Sequence, residues 1–215
     1  TYRYLETSDS LYFWGTGDPS LLHPRLQGDA LLKKLSSTNK VLVLADSDEH
    51  IRPLGSGWAW DDYASYYMTE RSPMPVYGNY IKWIQQRSIE ERDGRQDTSA
   101  FIFTDPEVNW DVQFKPGKAN AFDVTRTRTE NKYTIIEGKE MKRELEVPFV
   151  TNGLQAALEL LKDTLHTSIT TESLTISELN TILYSDENGS FTLIQGNQNL
   201  TLILEKEGFQ VLEMQ

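Results

Sequence analysis

The chain has 215 residues, with 21 Lys and Arg against 32 Asp and Glu, a formal net charge of −11 and no cysteine. The missing cysteine excludes disulfide frameworks, thiolate metal sites and cysteine nucleophiles, while 38% hydrophobic and 25% charged residues are typical of a globular protein. The negative charge repels phosphate backbones, so we expect no nucleic-acid partner.

The N-terminal segment predicts a strand, a helix and a second strand. Residues 11–14 form a short aromatic and apolar run, and the Gly-Thr-Gly sequence after it indicates a turn. Leucines then recur at helical spacing, which predicts a helix over residues 20–36. Residues 41–45 are apolar and rich in β-branched side chains, and the run is too short for a helix, so it predicts a buried strand.

A long loop and a series of strands follow. Residues 46–78, the aromatic loop, are rich in Gly, Pro, Asp, Trp and Tyr, and their apolar residues show neither helical nor strand periodicity. Residues 88–98 are charged and contain a glycine, which predicts an exposed connection. A Gly-Lys-Glu turn at residues 138–140 predicts that the strands on either side of it form a hairpin. The predicted strands are residues 80–84, 100–104, 122–128, 133–137 and 141–147.

The last third of the chain predicts a helix and a small sheet. Apolar residues at i, i+3, i+4, i+7 and i+11 predict an amphipathic helix over residues 152–165. Turn signals then separate strand-like runs at residues 191–195, 200–204 and 210–214, the pattern of an antiparallel β-meander.

The predicted fold class is therefore α+β, with mostly antiparallel sheets, two main helices and a C-terminal β-meander. We divide the chain into an α+β region over residues 1–150, which contains the aromatic loop, and a helix-plus-meander region over residues 151–215. No apolar run approaches the roughly 20 residues that a membrane-spanning helix needs.

Two motifs imitate ligand sites but have simpler structural interpretations. The Gly-Thr-Gly sequence at residues 15–17, with Asp46 ending the next strand, imitates a dinucleotide-binding unit, yet Ser20 occupies the third glycine position. Acids and a histidine at residues 46–50 could ligate a hard cation, or form a solvated turn. We assign neither a cofactor nor a metal ligand from these residues.

Ser37 and Lys40 have the spacing that a lysine base needs to reach a serine nucleophile one helical turn away. They lie at the end of a predicted helix, whereas a serine of this kind opens a long helix. We therefore assign no catalytic residue in this chain.

The strongest candidate for ligand binding is the centre of the aromatic loop. Trp58, Trp60, Asp61, Asp62 and Tyr66 combine aromatic side chains with acids, a combination that can stack on sugars or hold cationic groups. The alternative is that the tryptophans anchor an irregular segment to the core while the acids cap a turn.

Two segments resemble the family of D-alanyl-D-alanine carboxypeptidases/endopeptidases, the low-molecular-weight penicillin-binding proteins that carry large inserted domains. Residues 11–21, LYFWGTGDPSL, resemble the family's G-x-GDP-[ST]-L segment. Residues 54–62, LGSGWAWDD, with Tyr66 and Tyr67 after them, resemble its LGPGW-x-WDD…YY segment. Weaker similarity continues to about residue 185, and residues 187–215 have no counterpart.

In that family both segments belong to an inserted, non-catalytic region, with Ser-x-x-Lys upstream and Ser-x-Asn and Lys-Thr-Gly downstream. The resemblance implies a parent protein that is a serine-type peptidase of peptidoglycan stem peptides, in the periplasm or elsewhere outside the cytoplasm. We expect this chain, which begins at Thr1 rather than a methionine, to be its non-catalytic portion. The alternative is a non-enzymatic glycan- or peptide-binding or structural domain of the cell envelope. Peptidoglycan or its peptides are the expected partners, and the oligomeric state stays open.

Overall fold

A computed structural model describes residues 2–47, 51–59, 61–92, 95–174, 182–185, 190–195 and 198–205. The helices are α1 (Asp29–Ser37) and α2 (Gln155–Leu165), with a 3-10 turn at Tyr77–Asn79. The strands are β1 (Tyr2–Glu6), β2 (Ser10–Gly15), β3 (Val41–Ser47), β4 (Tyr80–Arg92), β5 (Arg95–Asp105), β6 (Asp111–Lys118), β7 (Asp123–Arg126), β8 (Lys132–Glu137), β9 (Lys142–Pro148), β10 (Ile169–Leu174), β11 (Ile182–Ser185), β12 (Ser190–Gln195) and β13 (Gln198–Glu205). The predicted α+β class is confirmed.

The chain forms two compact units, and each is interrupted in sequence. Unit 1 comprises residues 1–53, 71–78 and 151–215, and unit 2 comprises residues 54–70 and 79–150. Unit 1 holds both α-helices and a seven-stranded sheet, whereas unit 2 holds two three-stranded sheets. The division of the sequence into regions 1–150 and 151–215 stays a prediction.

The sheet of unit 1 has the strand order β10-β3-β2-β1-β13-β12-β11. Pairs β2–β3 and β3–β10 are parallel, and the other neighbours are antiparallel. Strands β12 and β13 confirm the first two runs of the predicted meander, since they pair directly across a short connection. The third run, residues 210–214, lies outside the described residues.

Helix α1 is shorter than predicted, because it begins at Asp29 rather than near residue 20. Residues 20–27 form turns instead, with Leu22 at a φ of 56°. Pro24 disfavours helical geometry at His23, and Gly28 lies where a Cβ would be 2.6 Å from the backbone carbonyl carbon of Ser20. The helical spacing of the leucines therefore holds only from residue 29 onward.

Helix α2 follows the predicted apolar spacing but starts at Gln155. Ala157, Leu160 and Leu161 are buried on one face, and each buried leucine contributes about 1.5–3 kcal/mol relative to an exposed one. The helix ends at His166, whose left-handed backbone directs its N–H to the carbonyls of the last turn. None of the described helices is long and apolar enough to cross a membrane.

Unit 2 consists of a β5-β4-β9 sheet and a β6-β8-β7 sheet. Strands β4 and β5 pair antiparallel along all of β5, from Lys82 opposite Asp105 to Arg92 opposite Arg95. The predicted exposed connection over residues 88–98 is therefore wrong: all of it except residues 93 and 94, which lie outside the described residues, is strand.

The predicted hairpin across residues 138–140 is also wrong. Strand β9 pairs with β4, whereas β8 lies between β6 and β7 in the other sheet. The chain thus leaves one sheet at Glu137 and joins the second at Lys142. Residues 138–140 do connect two strands, as predicted, but these strands belong to different sheets and do not pair.

The core of unit 2 lies where the inner faces of its sheets meet. Alternate residues of β4, among them Ile81 and Trp83, are buried, as the period of a strand requires. The Trp83 ring lies 4.8 Å from the Tyr133 ring of β8, and Trp110 stacks on Tyr133 at 6.0 Å. Aromatic contacts therefore join the two sheets.

Candidate functional site

The part of the aromatic loop in unit 2, residues 54–70, folds as three successive turns. Backbone N–H groups of Asp62, Ser65 and Met68 donate to the carbonyls three residues earlier, at 3.2, 2.8 and 2.8 Å. These bonds satisfy the backbone of an otherwise irregular segment. The loop therefore holds its side chains in defined directions.

Two side chains attach this segment to the rest of unit 2. The Tyr63 hydroxyl donates to the Arg126 carbonyl at 3.0 Å, and Arg126 Nη2 donates to the Tyr63 carbonyl at 3.1 Å. The guanidinium also lies 5.4 Å from the centre of the Tyr63 ring, within cation–π range. Met68 is 2% exposed. Tyr63 is therefore an anchor of this segment, whereas the alternative interpretation, in which Trp58 and Trp60 anchor it, stays a prediction.

Three other described aromatics of residues 54–70 are exposed. Trp58 is 38% exposed, Tyr66 70% and Tyr67 55%. The Tyr66 and Tyr67 rings meet edge to face with centroids 5.4 Å apart, and the Trp58 indole packs over Gly55, where a Cβ would lie 3.3 Å from it. Exposed rings of this kind can stack on a sugar or hold a cation.

The two acids of the predicted site have different surroundings. Asp61 is exposed, while Asp62 is half-buried and accepts a hydrogen bond from the Tyr67 hydroxyl at 2.8 Å. That bond to the carboxylate raises the pKa of Tyr67. The structure therefore brings Asp62 to Tyr67 and Tyr66 to Tyr67. Trp60 lies outside the described residues.

A concave surface of unit 2, the acidic cleft, lies between strands β7 and β9 and beside residues 64 and 66 of the aromatic loop. Its volume is about 530 Å³, within the range of ligand-binding clefts. Among the residues that line it are the carboxylates Asp123, Glu144 and Glu146, the ammonium of Lys82, and the exposed ring of Tyr66. The lining therefore carries more negative than positive charge.

Sequence reasoning missed the acidic cleft because its residues come from strands that are distant in the chain. The only local signal is the charged run of β9, from Lys142 to Glu146. That pattern indicates a strand with a solvated face, but it does not reveal that β7 lies opposite.

A buried polar cluster lies behind the anchor of the loop. Arg126 is 4% exposed and Tyr133 1% exposed. Burial lowers the pKa of Arg126, and the nearby tyrosines and Glu70 oppose that shift. Burial also raises the pKa of Tyr133. Arg126 holds the loop through Tyr63, and Tyr133 packs between the two sheets. Both side chains are buried.

Ser37 and Lys40 do not act on each other. The Ser37 hydroxyl donates to the Lys34 carbonyl at 3.1 Å. The Lys40 amine instead bonds the Thr7 carbonyl and the Glu6 carboxylate, the latter at 2.9 Å. Hydrogen bonds from Lys40 and then Lys34 lower the pKa of Glu6. Lys40 therefore forms an ion pair and is not the neighbour of a nucleophile.

The glycine turn at residues 15–17 does not form a nucleotide site. The Gly17 N–H donates to the Pro73 carbonyl at 2.6 Å, and Asp18 accepts the Ser20 N–H at 2.9 Å. The cavity beside the turn measures about 20 Å³, room for about one water molecule. Helix α1 begins only at Asp29, so no helix N-terminus faces the turn.

The possible cation site at residues 46–50 is described only in part. Asp46 is exposed at the end of β3, and residues 48–50 lie outside the described residues. Within the described part of the chain, no group of three or more His, Asp or Glu side chains is placed to hold a metal ion.

The fold is similar to part of a solved structure, although no protein-family model and no curated protein matches the sequence. The crystal structure of penicillin-binding protein 4 from Haemophilus influenzae superposes with a TM-score of 0.50 and 17% sequence identity. The chain shares a fold with penicillin-binding protein 4. The match covers 81% of this chain and 43% of that one, so the chain spans less than half the length of penicillin-binding protein 4.

Proposed function

We propose that this chain is the non-catalytic, insert-like portion of a serine-type D-Ala-D-Ala carboxypeptidase that acts on peptidoglycan stem peptides outside the cytoplasm. The fold similarity to less than half of penicillin-binding protein 4 carries this proposal. It agrees with the two sequence segments at residues 11–21 and 54–62, which resemble the inserted region of that family. A parent protein of this kind works on the cell wall.

The contacts of Ser37 and Lys40 support the non-catalytic part of the proposal. A serine nucleophile needs a base within hydrogen-bond reach, and Lys40 is instead paired with Glu6. The role left to the chain is to shape or shield the approach of peptidoglycan to a catalytic domain.

We expect the purified chain to form no covalent adduct with a β-lactam. A serine-type carboxypeptidase would be acylated stoichiometrically, because β-lactams acylate its nucleophile. Intact-mass spectrometry after incubation with penicillin measures this directly, and a penicillin-binding protein with an intact active site is the positive control. A stoichiometric adduct on this chain that is lost in Ser37→Ala would refute the non-catalytic assignment.

The exposed aromatic side chains favour a second function, direct binding of peptidoglycan by the aromatic loop. The side chains of Trp58, Tyr66 and Tyr67 are exposed, whereas Tyr63 is hydrogen-bonded to Arg126 and Met68 is buried. Rings that are not needed for the core are available to stack on sugar or peptide groups. Asp61 and Asp62 add negative charge beside them.

We expect Tyr66→Ala and Trp58→Ala each to weaken the binding of a purified muropeptide about tenfold, since a stacked ring contributes about 1 kcal/mol beyond its buried area. Isothermal calorimetry gives the dissociation constants, and circular dichroism confirms that the variants fold. The matched control is Phe114→Ala, which removes a ring 63% exposed on β6. Equal affinities of Tyr66→Ala, Trp58→Ala and the unmodified chain would argue for a shaping role alone.

A further inference from the structure

Strand β5 lies at the edge of the β5-β4-β9 sheet, and its outward backbone groups belong to alternate residues. The N–H of Phe149 donates to the Asn79 carbonyl at 3.1 Å. The N–H of Arg87 donates to the Met141 carbonyl at 2.8 Å. Bonded and outward-facing residues alternate along a strand, so the odd-numbered residues of β4 bond β9 and its even-numbered residues bond β5. The register of β4 with β5 then leaves the even-numbered residues of β5 with backbone groups that point away from the sheet.

The outward residues of β5 include Thr98, Ala100, Ile102 and Thr104. No other strand in the described part of the chain pairs with them, and the register with β4 shows no shift, so no bulge interrupts this edge. Residues 98–104 contain neither a proline nor a charged side chain. Natural proteins guard exposed edges with charges, prolines or bulges, and residues 98–104 have none of these.

Strand β6, which lies at the edge of the other sheet of unit 2, carries the usual protection. It contains Lys115 and Pro116, and its register with β8 shifts between Phe114 and Lys118. A charge, a proline and an irregular register each hinder the addition of a further strand. The open edge of β5 is therefore not a general property of the sheets of this chain.

The sheet face beside this edge is apolar. The rings of Phe101 and Phe103 are 59% and 48% exposed, and they lie on one face because they are two residues apart in a strand. Ile84 of β4 lies opposite Phe103 and is half-buried. Exposed aromatic side chains next to unpaired backbone groups are typical of a surface that pairs with another strand.

A second copy of β5 fits this edge by charge. The chain carries a net charge of −11, so two copies repel each other unless uncharged surfaces meet. Residues 98–104 are such a surface, and they offer no charge that would select an acidic or a basic partner. The uncharged edge therefore favours its own copy.

The second copy also fits by register. When two β5 strands pair antiparallel about a two-fold axis at Ile102, even-numbered residues face even-numbered residues, so the outward groups of both edges bond each other. Phe101 then lies opposite the partner's Phe103 in a non-hydrogen-bonded pair, in which side chains are closest, and the symmetry makes two such pairs. An axis at Ala100 would instead place Phe101 opposite the partner's Ser99.

We propose that two copies of this chain associate through strand β5, with the two edges paired antiparallel about an axis at Ile102. Main-chain hydrogen bonds join two three-stranded sheets into one six-stranded sheet, and the phenylalanine pairs fix the register. This association is separate from the proposed peptidoglycan role and does not depend on it.

Sedimentation equilibrium of the 215-residue chain tests the association. We expect a dimer of 24.7-kDa chains at millimolar concentration. Phe101→Glu/Phe103→Glu places like charges opposite each other and should raise the dissociation constant at least about tenfold. The matched control, Phe114→Glu/Met141→Glu, adds the same charge at two other exposed apolar side chains and should leave the constant unchanged. A chain that stays monomeric at millimolar concentration, or equal weakening by both double variants, would overturn the proposal.

Single cysteines identify the register, since the chain has no cysteine of its own. In Ile102→Cys the two copies of residue 102 face each other with Cα atoms about 5.5 Å apart, within the range of a disulfide. Oxidised glutathione converts two such thiols to a disulfide and is itself reduced to two thiols, so we expect a covalent dimer on a non-reducing gel.

Thr98→Cys, on the same edge and face of β5, is the matched control for Ile102→Cys. In the proposed register the two copies of residue 98 are eight positions apart along the strand, roughly 26 Å, and should not cross-link. No cross-link in Ile102→Cys, or equal cross-linking of the two cysteine variants, would overturn the proposal even if the glutamate variant failed to fold.

Discussion

Replacing Gly138 with alanine is expected to destabilise the chain by about 3 kcal/mol, an effect at the upper end for overpacking. An added Cβ would lie 2.6 Å from the Ala121 carbonyl carbon and still closer to the Phe122 nitrogen. Both obstacles are backbone atoms, which cannot rotate away as a side chain would. The chain must shift where it passes from one sheet of unit 2 to the other.

The hydrogen bonds at Gly138 increase this cost, because any shift breaks them. Its N–H donates to Gln85 Oε1 at 2.8 Å, and its carbonyl accepts from Arg87 Nη2 at 2.8 Å. Gln85 is 0% exposed, so water cannot replace these bonds. Urea unfolding followed by tryptophan fluorescence measures the change. Lys139→Ala, at an exposed neighbouring position, is the control and should change stability by no more than about 0.5 kcal/mol. A similarly small effect of Gly138→Ala would mean that the two sheets are not closely joined there.

Arg126→Ala is expected to cost about 3 kcal/mol and to release the aromatic loop. The guanidinium donates to the carbonyls of Tyr63, Thr127 and Arg128 at 3.0–3.2 Å. Hydrogen bonds from a charged donor contribute about 1.5–3 kcal/mol each, and the cost of burying the cation offsets part of that sum. The variant leaves three partly buried carbonyls without this donor, and it removes the cation–π contact to Tyr63.

Two measurements distinguish these effects of Arg126→Ala. Urea unfolding gives the loss of stability, and hydrogen exchange of residues 59–68 reports opening of the loop. Arg143→Ala, which truncates an exposed arginine on β9, is the matched control and should change neither. Unchanged exchange in the loop of Arg126→Ala would show that the contacts of Arg126 do not hold the loop.

The elements with strong local patterns could be predicted from the sequence. The apolar spacing of α2 and the β-branched run of β3 each bury one continuous apolar surface, and both elements are present. The sequence around residues 138–140 could not show whether the strands on either side of the turn pair with each other. Gly138 resembles a hairpin glycine, but its N–H and C=O are bonded by Gln85 and Arg87 from a strand about 50 residues earlier. Pairing over that distance leaves no trace in a short window of sequence.

The candidate site was likewise predictable from the sequence only in part. Composition alone identified the aromatic loop, because Trp58 and Tyr66 are close in sequence and unusual in kind. It could not tell which aromatics are anchors, since Tyr63 and Tyr66 differ only in whether Arg126 lies opposite. The acidic cleft required β7 and β9 to be placed side by side, which depends on the packing of the two sheets.

The pairing of β1 with β13 joins two segments that are far apart in the sequence. Tyr2 lies opposite Glu205, so the first and last described strands are neighbours in the central part of one sheet. The partner of this edge of β1 lies about 200 residues later in the sequence. One edge of the β1–β2 hairpin therefore stays unpaired until β13 reaches it, and non-local pairing of this kind is intrinsically slow. Closure of that edge is the step at which slow folding or early aggregation would begin.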